Sequence, residues 1–226
     1  MPPCPASFAL RPDPQAESVT RTVVLVDEEK AMSEQNHDQE VGMPAEGAEH
    51  QESADTFRAS HMARAQSAAS RAAAVFHHIE LGADGQRPDE AARAEVLFKA
   101  THAARVSVQA LAVLSESRPN PAADSRCARN AAAAASQAAQ MGQLHDDGSE
   151  LSAAASKAAL KAAQAAGVAA AAGALGENET LNAEADAAEQ AAVAAAEAAG
   201  WMRPGEQIPP VATGTRSADV MAMMHF

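Results

Sequence analysis

The chain has 226 residues, a hydrophobic fraction of 47%, 3% aromatics and a formal net charge of -13 at pH 7. Roughly a quarter of it is alanine, so most of the apolar fraction is single methyl groups, which favour helices and fill a core poorly. This excess of negative charge argues against a nucleic-acid partner, and the shortage of aromatic and β-branched runs argues against a sheet.

No apolar stretch approaches the ~20 residues of a transmembrane helix, and no basic region with an apolar core opens the chain, so neither insertion nor export is expected. Cys4 and Cys127 make neither a disulfide framework nor a metal-ligand spacing and suit a reducing, cytoplasmic setting. The fold class expected is all-α, an antiparallel alanine-rich bundle of four to five helices with disordered N- and C-terminal tails.

Residues 1–52 carry Pro2, Pro3, Pro5, Pro12 and Pro14, then acidic residues from Asp27 to Glu52. That composition buries too little apolar surface to offset chain ordering, so it reads as a disordered tail. Met32, followed by Ser33 and a polar run, reads as a second start site. The bundle domain is expected over residues 53–202. Helix 1, about 54–81, has Ser53 as N-cap, Gly82 as a left-handed terminator and a seam of Met62, Ala65, Ala69, Ala72, Phe76 and Ile79.

Helix 2 starts at Pro88, stops before Pro119 and carries a seam of Leu97, Thr101, Ala104, Val108 and Leu111. Helix 3 is capped by Asn120, has Pro121 in its first turn and runs through the alanines 131–135 to His145, with Gly148 closing it. Helix 4 starts at Ser149 and Glu150 and ends near Leu175, with Gly167 and Gly173 marking close approach or a weak spot. Helix 5, within 178–202, places Leu181, Ala185, Ala188, Ala192, Ala195, Ala199 and Met202 inward. Glu184, Asp186, Glu189 and Glu197 are then expected outward, and Gly200 terminates the helix. Residues 203–226 form a Pro- and Gly-bearing tail with an apolar tip.

An internal duplication is visible as an offset of 62 (160 − 98) between Phe98-Lys99-Ala100 and Leu160-Lys161-Ala162, and of 66 (136 − 70) between Ser70 and Ser136. It would pair a hairpin at about 54–118 with one at 120–176, leaving a fifth helix at 178–202. Chance alignment of alanine-rich helices is the simpler account of the match.

Chemistry-bearing patterns are sparse. His77 and His78 are adjacent and His61 lies far along the same helix, so none makes the i, i+3 or i, i+4 pair of a helical metal site. There is also no Glu-x-x-His of a di-iron bundle. Glu95, His102 and Arg105 share a face of helix 2, an acid–base arrangement that charged helix faces often mimic. No phosphate loop or nucleophile motif occurs, so no catalytic, cofactor-binding or metal-ligating residue is assigned and no cofactor is expected.

Charge segregation is more suggestive. Arg64, Arg71 and His78 recur every seven residues, with Arg58, Arg93, Lys99, Arg105, Arg126 and Arg129 also in helices 1–3. Such a stripe reads either as an ordinary solvated face or as a dock for the acidic segment 27–52. The partner contacts expected are therefore Arg64, Arg71, His78 and Arg105, with Met221, Met223, Met224 and Phe226 of the apolar tip.

The function expected is a non-enzymatic interaction or structural role, with a protein partner or self-association. Reversible attachment to a lipid or polymer surface and a cavity-based enzyme or small-molecule binder are the rival classes.

Overall fold

The computed structural model describes residues 45–82, 90–173 and 175–212, with the backbone alone for 45–52. It is all-α. Among the described residues five helices follow in order: α1 Ala45–Leu81, α2 Glu90–Glu116, α3 Pro121–His145, α4 Glu150–Ala171 and α5 Glu179–Ala198. No strand occurs among the described residues. No helix there is long and apolar enough to cross a membrane.

Local signals set most helix ends. Asn120 Oδ1 accepts from the Ala123 amide at 3.0 Å, Ser149 Oγ from Ser152 at 3.2 Å and Asn178 Oδ1 from Leu181 at 3.0 Å. Each side-chain acceptor satisfies an amide that a helix start leaves without an intrahelical partner. Gly148 and Gly200 follow α3 and α5 in the left-handed region, at φ 70° and 77°.

Three expected boundaries move. α1 begins at Ala45, so Ser53 lies inside it, and Gly82 is not left-handed. α4 stops at Ala171 because Ala172 turns extended, with Leu175 at φ 46° and Gly176 at φ 98° completing the turn. That turn presses on α3: a Cβ on Gly176 would lie 2.5 Å from the Pro121 carbonyl oxygen, so a side chain there is excluded. The packed chain also continues past 202, since Trp201 and Val211 are buried and Ile208 packs on the core. Pro88 and the remaining expected tail residues, 1–44 and 213–226, lie outside the described residues.

Contacts along α1 fix the helix directions. Arg58 Nη2 donates to the Ser117 carbonyl just after α2, while the Gly82 carbonyl accepts from Arg93 near its start, so α1 and α2 are antiparallel. Arg58 meets Asp124 at the start of α3 and His78 meets Asp146 at its end, so α1 and α3 run parallel. α3 is central, packing on α1, α2 and α4, while α5 packs on α4 and also meets α1.

The interior is alanine. Ala65, Ala72, Ala104, Ala128, Ala131, Ala135 and Ala138 are fully buried, and small side chains let helix backbones approach closely. Among side chains less than 2% exposed, the largest is Arg71 rather than a hydrocarbon. The expected α1 seam is present, with Met62 and Phe76 half-buried beside it. In α2 the buried stripe instead runs through Ala100, Ala103, Ala104, Ser107, Ala110, Val113 and Leu114, so the expected seam residues other than Ala104 sit at its edge. Gly167 and Gly173 face open space, which removes the close-approach reading. The buried Cys127 thiol is pushed up to about 11, chiefly by burial and then by Asp124, so it is inert at neutral pH.

Candidate functional site

The heptad-spaced basic residues of α1 turn inward. Arg64 Nε donates to Asp186 Oδ1 at 2.7 Å, and its Nη2 reaches the Asn182 carbonyl and side-chain oxygens at 3.2 Å. Arg71, 1% exposed, donates from Nε and Nη2 to Glu189, 3% exposed, with a shortest contact of 2.8 Å. Ser67 adds a bond to the same carboxylate at 3.0 Å. Arg71 Nη1 is buried without a partner among the described residues. The acidic residues facing Arg64 and Arg71 thus come from α5, whereas His78 meets Asp146 at the end of α3.

The expected inward face of α5 is met in part: Ala185 and Ala192 are buried and Ala195, Ala199 and Met202 pack on the core, but Glu189, expected outward, turns in as well. Its buried residues are Asn182, Ala185, Glu189, Ala192 and Ala196, so Glu189 is interior and Asp186 half-buried, while Ala188 and Ala195 lie at the margin. An alanine helix offers nearly equal methyl surface in every direction, and the Arg71–Glu189 pair selects one rotation.

His61 belongs to the same network. Its Nε2 donates to the Gly176 carbonyl at 3.1 Å, which also accepts from Asn182 Nδ2 at 2.7 Å. Burial, followed by the positive charge of Arg64, lowers the His61 pKa from 6.5 to about 4, against the raising effects of the Gly176 bond and Asp186. The folded chain therefore binds this proton more weakly than the unfolded chain. The resulting stability is complete above pH 6.5 and is lost as pH falls towards 4, a decrement of about 3 kcal/mol. Urea unfolding from pH 7 to 4 should show the native protein weakening more steeply than His61→Gln; parallel profiles would contradict this account.

A second cluster forms where α1 and α3 end together. His78 lies in the last turn of α1, His145 ends α3 and Asp146 is its C-cap. His78 Nε2 donates to Asp146 Oδ1 at 2.8 Å, and Trp201 Nε1 donates to Asp146 Oδ2 at 2.7 Å. The His78 and His145 rings meet edge-on with centroids 5.4 Å apart. Potential ligand atoms of His78, His145 and Asp146 all lie within 4.8 Å of one another. A cleft of about 470 Å³ adjoins the cluster, lined by His77, His78, Gly82, Trp201, Arg203 and Glu206 among others.

Within its own helix His78 has no metal-ligand partner at a three- or four-residue spacing. Here the second histidine comes from α3, and the usable signal was that odd-numbered helices of an up-and-down bundle end on the same side. Other expected residues do not converge. Glu95 pairs with Lys99 at 2.6 Å, whose hydrogen bond and charge lower its carboxyl pKa, while His102 and Arg105 are exposed on α2. Met221, Met223, Met224 and Phe226 lie outside the described residues. No family model matches this chain, and no curated protein or solved structure matches it either.

Proposed function

We propose that the chain is a non-enzymatic helical scaffold that acts by association with protein, either a partner or a second copy of itself. The observation carrying this reading is the exposure of several large apolar side chains over an interior made mainly of alanine. Alanine fills the interior, whereas Phe98 is 73% exposed, and Leu151, Leu160, Val168 and Leu175 are 44% exposed or more. Scattered surface apolar residues are ordinary, but a chain with so few large apolar residues has reason to bury them. Association supplies the burial that the alanine core leaves undone. Lys99 beside Phe98, and Lys157 and Lys161 near Leu160, give these residues polar borders suited to an interface rim.

Sedimentation at increasing concentration and affinity capture from native extract, each with the native chain and Phe98→Ser/Leu160→Ser, test the reading. Expected is a self-associated species or a specific captured protein that the variant loses, with urea unfolding changed by no more than ~0.5 kcal/mol per site. A monomer at all concentrations whose captured proteins are unchanged by the substitutions would overturn it.

A further inference from the structure

We infer that His78, His145 and Asp146 form a binding site for a divalent transition metal of the zinc class. This goes beyond the scaffold reading and rests on separate residues.

The donor set is two imidazoles and one carboxylate. Imidazole nitrogen suits zinc, cobalt, nickel and copper, whereas calcium and magnesium require oxygen ligands. Zinc–ligand bonds of ~2.0–2.2 Å in a tetrahedron place neighbouring ligand atoms a little over ~3 Å apart. The cluster, within 4.8 Å, reaches that spacing by side-chain rotation while both helices stay in place. His78 Nε2 and Asp146 Oδ1, 2.8 Å apart, then separate slightly as the ion takes the position between them. The proton on Nε2 moves to Nδ1 or to solvent, because a coordinating nitrogen must offer its lone pair.

Two features prepare this place for a cation. Trp201 holds Asp146 Oδ2, leaving Oδ1 turned to His78, an outer hydrogen bond of the kind that orients metal-binding carboxylates. α1 and α3 both end here, and their carbonyl ends bring partial negative charge. Arg93 already answers one of these carbonyls, that of Gly82, at 2.6 Å. Gly82 also makes room for His145: a Cβ on Gly82 would run into Nε2 of that ring. Three protein ligands leave a fourth position for water or a small ligand.

Untagged full-length protein should be titrated with Zn²⁺ by calorimetry, with Co²⁺ absorption reporting coordination geometry and circular dichroism reporting the fold. Expected is one ion per chain, a tetrahedral Co²⁺ spectrum and a rise in Tm of roughly 5 °C at saturating Zn²⁺. His78→Ala and His145→Ala should each weaken binding at least ~tenfold. Gly82→Ala, which removes no ligand, should weaken it by displacing His145. His77→Ala and His37→Ala/His50→Ala should leave it unchanged. Absent Zn²⁺ binding, or binding lost with His77, His37 or His50 and retained in His145→Ala, would overturn the assignment.

Discussion

Replacing Arg71 with alanine should destabilise the fold by about 3–5 kcal/mol, because it leaves the Glu189 carboxylate buried with its cation removed. Against a typical total of ~5–15 kcal/mol, that loss would put much of the chain near its unfolding threshold. The double substitution Arg71→Met/Glu189→Leu should recover most of the loss or exceed native stability, since two apolar side chains of similar volume need no desolvated charge. Urea unfolding of the single and double variants measures both. A double variant as weak as Arg71→Ala would show that the pair itself supplies net stability. Recovery would assign it a different role, fixing the rotation and register of α5.

That role follows from the composition. Ala185, Ala192 and Ala196 present almost interchangeable methyl groups to the core, so apolar packing distinguishes poorly between neighbouring registers. A slip of one turn would remove Glu189 from Arg71 and Asp186 from Arg64, leaving buried guanidinium groups without their acids. The cost of burying an unpaired charge thus supplies the discrimination that large side chains provide in other bundles.

The same physics separates what was legible from what was not. Asn120, Pro121, Ser149, Gly148 and Gly200 act on their own helix ends, and their expected roles coincide with the observed caps and turns. The α1 seam was legible because Phe76 and Ile79 break the alanine monotony. The inward turn of Glu189 and Asp186 on α5 was not, because it depends on Arg71 and Arg64, more than a hundred positions away in α1. Arg64 and Arg71 were visible as a periodic pair, but their acids had no periodicity to identify them as interior. His145 was hidden for a related reason: its relation to His78 exists only once two parallel helices end together.

Replacing Trp201 with alanine should cost about 3–5 kcal/mol, the range for removing a large buried aromatic side chain. Trp201 is 4% exposed and lies beyond α5 in the segment that closes over the end of the bundle. Its ring fits against Gly142 so closely that a Cβ there would lie 2.9 Å from Trp201 Cζ2 and from Val75 Cγ1. Glycine at 142 is therefore what admits the ring between α1 and α3. Trp201→Phe separates packing from hydrogen bonding: it keeps most of the ring but removes the 2.7 Å bond to Asp146, a loss of about 1–3 kcal/mol. As the only tryptophan, Trp201 reports its own burial, so native emission should be blue-shifted and move to the red on unfolding. The two variants are followed by circular dichroism. A Trp201→Ala chain as stable as the native protein would mean that the segment after α5 covers the bundle without supporting it. The expected loss would instead make this closing segment part of the core, with Asp146 held between the tryptophan and His78.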